Sequence, residues 1–115
     1  MKTHIMSLNP LPMKMFREGK KTIELRLYDE KRRRIAVGDK ISFINTSNLT
    51  DILNVTVEEL FVFGSFDELY KNLPLSECGY TGDNIDKASP DDMEIYYSKD
   101  KQLKYGVLGI KISLR

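Results

Sequence analysis

Between Gly19 and Phe43 the chain reads GKKTIELRLYDEKRRRIAVGDKISF, and this stretch constrains the fold more than any other. Ile23, Leu25 and Leu27 share one parity, so an extended strand turns all three toward a core. Thr22, Glu24, Arg26 and Tyr28 take the other parity and face away from that core. Glu24 and Arg26 are two residues apart, which sets their Cα atoms roughly 6–7 Å apart. An acid and a guanidinium thus stand side by side where the chain enters its most charged segment. On this reading Glu24→Gln leaves the melting temperature nearly unchanged, whereas Leu25→Asp unfolds the domain by burying an unpaired charge. Lys21 has the parity of the core residues, and an unpaired lysine is too costly to bury. The strand is therefore expected to begin after Lys21, with Gly19-Lys20 as a turn or bulge that re-aims the side chain.

Around this stretch the elements are short. Lys2 to Leu8 reads as an edge strand. Asn9-Pro10 reads as a helix start, with Leu11, Met15 and Phe16 as the buried stripe and Gly19 as the stop. Gly38-Asp39 turns into a strand from Lys40 to Asn45, and residues 45–48 form a polar loop. Ile52 to Phe63 is a long strand, or two segments joined by a bulge near Glu58-Glu59. Ser65 caps a helix carrying Phe66, Leu69 and Leu73, and residues 76–89 form an irregular loop. Ser89-Pro90-Asp91-Asp92 opens a helix expected to run to about Lys101. The chain closes on a half-buried strand in which Leu108, Ile110, Ile112 and Leu114 alternate with Gly109, Lys111 and Ser113. About five strands with three short helices, and no βαβ rhythm, predict an α+β domain built on a small barrel or curled sheet.

A chain of 115 residues with 41% hydrophobic residues forms a single domain, residues 1–115, with a real core. Eighteen basic against 17 acidic residues leave a net charge of +1, so attraction to a polyanion must come from a local patch. Lys31, Arg32, Arg33 and Arg34 are four consecutive cations; they read either as a solvated loop or as a basic lip around a cleft. Cys78 and His4 are the sole cysteine and histidine, so no disulfide, metal site or cofactor is expected. Cysteine usage and the lack of a long apolar run point to a cytoplasmic protein without a membrane partner.

Gly19, Lys21, Glu24 and Arg26 match the G-x-K-x-x-E-x-R signature of the ASCH domain, a branch of the PUA-like β-barrels. The RLYDEKRR run, the Gly38-Asp39 turn and the segment from Tyr96 to Ile110 extend the likeness over nearly the whole chain, which resembles the small stand-alone ASCH proteins of bacteria and archaea. The resemblance implies a PUA-like barrel of about five to six strands flanked by short helices, with a cleft on one side that binds RNA or a nucleotide. One branch of the family hydrolyses the acetyl amide of acetylcytidine, using a lysine, a threonine three residues later and a glutamate in a later helical region. Lys21 matches the lysine, and Glu24 stands where that branch has threonine. Glu94 is the best match to the late acid, with Asp91 and Asp92 as alternatives.

Two readings follow. In the first, Lys21, Glu24 and Arg26 line a cleft for an RNA segment, nucleoside or nucleotide, and Lys31 to Arg34 form its lip; lysine and arginine meet phosphate while Glu24 accepts from a base amine. In the second, the same cleft is that of a small metal-independent amidohydrolase in which Lys21, Glu24 and Glu94 are catalytic. Tyr97, with Tyr96 and Tyr105, is suited to stack on a base, although packing of the last helix and strand carries more weight. Cys78 lacks a histidine partner and His4 is read as a polar strand residue.

Overall fold

The computed structural model describes residues 1–114. Five strands form one sheet in the order β1-β3-β4-β5-β2. β1 (Thr3–Leu8) runs parallel to β3 (Lys40–Asn45), which turns through Thr46-Ser47 into the antiparallel β4 (Asn48–Phe63). β4 pairs with β5 (Val107–Ser113), and β5 in turn carries β2 (Ile23–Leu27) at the far edge. The register of β4 shifts between Val57 and Glu59, the bulge that a break near Glu58-Glu59 anticipates. The sheet curls until its two edges meet: Arg26 Nη2 on β2 donates to the Ser7 carbonyl on β1 at 2.7 Å, and Lys31 Nζ reaches the Ile5 carbonyl at 3.2 Å. The α+β, half-barrel architecture expected from the sequence is the one observed.

Two apolar clusters hold the sheet. Inside the curl, Met6, Leu8, Ile41, Phe43, Val55, Leu108 and Ile110 pack with Met13 and Phe16 of α1 (Pro10–Arg17), and the Phe16 and Phe43 rings stack at 5.6 Å. Outside it, Ile23, Leu25, Leu27 and Val107 pack beneath Phe66 and Leu69 of α2 (Phe66–Asn72). Clusters on both faces leave every residue from Val107 to Ile110 buried, where the alternation had predicted a strand covered on one side only. Asp39 ties down the start of β1, accepting from His4 Nε2 at 2.8 Å and from the amides of Lys2 and Ala36.

Three further expectations change. The buried stripe of α1 is Met13, Met15 and Phe16, and Leu11 is exposed, because this two-turn helix presents Met13 and Phe16, three residues apart, to the core. The single helix expected from Ser89 to Lys101 is broken. Pro90–Ile95 forms a 3₁₀ segment under a Ser89–Asp92 capping box, and Ser98 then caps a separate α3 (Lys99–Tyr105). Third, Glu24 and Arg26 do not face away from the core. They pair with Ile110 and Leu108 and so share the inner face of the sheet, where Glu24 is only 4% exposed. No helix among the described residues is long and apolar enough to cross a membrane.

Candidate functional site

The site begins with the turn between α1 and β2. Gly19, in a left-handed conformation at φ 73°, ends the helix, and the amides of Lys20 and Lys21 both donate to the Met15 carbonyl. The Thr22 amide then bonds to the Glu77 carbonyl, and β2 starts only at Ile23. Wrapped back this way, Lys21 lies over the Phe16 ring and donates from Nζ to Glu24 Oε1 at 2.8 Å. Arg26 Nε donates to the other oxygen, Glu24 Oε2, also at 2.8 Å. Lys21, Glu24 and Arg26 therefore meet as one set, and the latch onto Ser7 belongs to the same guanidinium.

Burial alone would raise the Glu24 carboxyl, but the charges and hydrogen bonds of Lys21 and Arg26 outweigh it and hold it below its ordinary value. Burial works against the Arg26 cation too, and Glu24, with the nearby Tyr97 hydroxyl, more than restores it. Burial is the main cause raising the Tyr97 hydroxyl, with Arg26 opposing. Glu24 is thus held as a carboxylate between two basic side chains, and Lys21 Nζ keeps N–H donors beyond the one given to Glu24.

Above this floor opens a cavity of about 460 Å³, a size suited to a small organic ligand. Leu11, Pro12 and Met15 of α1 form one side, and Met93, Ile95, Tyr96 and Tyr97 of the 3₁₀ region form the other. Tyr96 is 59% exposed at the margin, whereas the Tyr97 ring stacks on Phe66 at 6.3 Å. Tyr70, Tyr80 and Asp92 complete the lining. Tyr80 donates to Asp92 Oδ2 at 2.6 Å, and its oxygen lies 2.7 Å from that of Tyr70. Cys78 also borders the cavity; burial pushes its thiol up to about 11, which leaves it an unreactive packing group. No group of residues suited to hold a metal occurs among the described residues.

The remaining sequence candidates lie elsewhere. Glu94 does not line the cavity; it is exposed, with its nearest cation Lys99 at 3.9 Å, and Asp92 is the acid of this segment that borders the cavity. Lys31, Arg32, Arg33 and Arg34 are likewise outside the lining. Arg32 pairs with Asp29 at 2.8 Å, and Arg33 lies over the Tyr28 ring while donating to the Tyr105 carbonyl at 2.9 Å. Sequence reasoning missed Tyr70 and Tyr80. The only signal for the second is an aromatic residue directly after Gly79 in an otherwise polar loop.

A family model for the ASCH domain matches residues 6–114. Among solved structures, the hypothetical protein PH0355 is similar with a TM-score of 0.78 at 31% identity, over 98% of each chain. Protein PF0455 from Pyrococcus furiosus is similar with a TM-score of 0.72 at 33% identity, over 96% of each chain. A mutant form of the ASCH protein of Zymomonas mobilis shares the fold, with a TM-score of 0.68 at 17% identity over 97% of this chain and 69% of that one. No curated protein matches the chain.

Proposed function

The chain belongs to the ASCH domain family, a family associated with RNA binding, and on that premise we propose that its cavity takes one nucleotide unit of an RNA strand or a free nucleotide. Tyr96, with Tyr97 beside it, stacks on the base, while the spare donors of Lys21 meet phosphate or carbonyl oxygens. Lys31, Arg33 and Arg34 serve the phosphates of neighbouring nucleotides outside the cavity. The observation that carries this reading is Tyr96: an aromatic ring 59% exposed at the margin of a cavity whose floor is a buried charge set. Aromatic stacking on a base contributes about 1–3 kcal/mol. Tyr96→Ala should therefore weaken binding of nucleotides and short RNA about tenfold or more without changing the fold. Wild-type protein that binds neither at low salt, or a variant that binds as tightly, would overturn the proposal.

Hydrolysis of an acetylated cytidine-type nucleoside has less support. Both Glu24 oxygens are occupied by cations that hold the carboxyl in its ionised form, so it is poorly placed to take a proton from water. Turnover of acetylcytidine, followed by absorbance and abolished by Lys21→Ala, would establish this activity in place of binding alone.

A further inference from the structure

Hydrogen-bond direction gives the cavity two unlike sides. We infer that it selects nucleotides whose base carries an exocyclic amine over those with a keto oxygen at the same ring position, with Asp92 Oδ1 as the accepting atom. The inference rests on the nucleotide reading above.

A carboxylate only accepts, so in the Tyr80–Asp92 contact of 2.6 Å the hydroxyl proton belongs to Tyr80. Having given its one proton away, Tyr80 must accept in its 2.7 Å contact with Tyr70, and Tyr70 is the donor there. Both hydroxyl protons are used up inside the chain Tyr70→Tyr80→Asp92. Burial, reinforced by the bond to Asp92, pushes the Tyr80 hydroxyl far above its ordinary range, so the proton stays in place. The Ser89 amide adds a second bond to the same oxygen, Asp92 Oδ2, at 3.2 Å. Asp92 Oδ1 has no partner among the described residues, and Asp92 lines the cavity. This wall presents acceptors only.

The floor is the reverse. Glu24 is the other acid lining the cavity, and each of its oxygens already accepts from a cation. Lys21 Nζ has donors beyond the one given to Glu24, while the Arg26 guanidinium is shared among Glu24, the Ser7 carbonyl and Tyr97. Phosphate and carbonyl oxygens belong at the floor. Against Asp92 Oδ1 either would set acceptor against acceptor, whereas an amine N–H completes a charge-assisted bond. Stacking on Tyr96 does not discriminate, since every base has a π-face. Selection thus falls to Asp92, with Tyr80 and Tyr70 as positioning residues.

The test compares the affinities of cytidine against uridine monophosphate, and adenosine against inosine monophosphate, by calorimetry at low salt. Wild type should prefer the amine member of each pair by about tenfold or more, the usual worth of one specific base contact. Asp92→Asn keeps an oxygen for Tyr80 and Ser89 but replaces the open oxygen with a donor, so the preference should vanish or reverse. Tyr80→Phe frees the Tyr70 proton and loosens Asp92; binding should persist while the preference falls. Melting curves check that both variants are folded. Equal affinity of wild type for both members of each pair, or a preference unchanged in both variants, overturns the inference and leaves the nucleotide reading standing. Failure of all four nucleotides to bind wild type overturns both.

Discussion

Glu24→Gln removes the one negative charge that two inward-facing cations share. The Lys21 and Arg26 side chains keep only 10% and 12% of their exposure, so neither charge regains water without moving the turn or the β1–β2 latch. Breaking a buried ion pair from one side costs about 3–5 kcal/mol. Glutamine keeps the shape and one accepting oxygen, which favours the lower end, about 3 kcal/mol. For 115 residues the unfolding entropy is about 0.24 kcal/mol/K, so the melting temperature should drop by about 12 °C near neutral pH. This reverses the expectation drawn from strand parity. The pH dependence has a definite sign. The folded-state carboxyl lies below its ordinary 4.5, so its contribution is complete above that value and is lost as pH falls through the folded value. The gap between wild type and variant should therefore narrow as the medium is acidified from neutral pH to below 4.5. Adding Lys21→Met should return part of the loss, since it removes one of the two stranded charges. Circular dichroism melts at the two pH values decide the matter. A neutral-pH difference under about 3 °C, or a gap that acid does not narrow, would refute the reasoning.

Leu25 lies beneath α2 with 7% exposure, so Leu25→Asp should abolish the cooperative melt; a variant that still unfolds in one sharp transition would contradict the packing. Gly79 holds φ at 109°, a conformation that strains any residue with a Cβ, so Gly79→Ala should cost about 1–3 kcal/mol, read as a lower urea midpoint. Replacing Arg33 and Arg34 with serine should weaken RNA binding and flatten its salt dependence by about one unit of slope for each phosphate left without its cation. An unchanged slope would leave Arg33 with only its contacts to the Tyr28 ring and the Tyr105 carbonyl.

What was legible in the sequence was local. The turn at Lys21 was readable because glycine precedes a lysine whose parity would otherwise bury it unpaired. The inward facing of Glu24 was not, because an alternating charged strand looks like a surface strand until something covers its second side. Here the cover is the β1 edge at Ser7 and the segment from Cys78 to Tyr97, both remote in sequence. The choice between Glu94 and Asp92 turned on helix type. A continuous α-helix would set Glu94 beside Tyr97, three residues on, whereas the 3₁₀ segment ends at Ile95 and leaves Glu94 near Lys99. For the basic run, the charges could be read but not their acceptors, since the carbonyls of Ile5 and Tyr105 carry no sequence signature. Tyr70 lies on α2 and Tyr80 in the loop ten residues on, and it is their hydroxyls that meet.

The strand order also sets an order of assembly. β1, β3 and β4 are neighbours in the sheet and lie within residues 3–63, whereas the strand pairing of β2 is with β5 alone. Eighty residues separate Leu27 from its partner Val107, so β2 has no place to dock until a distant part of the chain has arrived. Glu24 and Arg26 have no covered face to enter until then, so their desolvation should fall on the late side of the folding barrier. Changes to the charge set should accordingly appear in how fast the domain comes apart and hardly at all in how fast it forms.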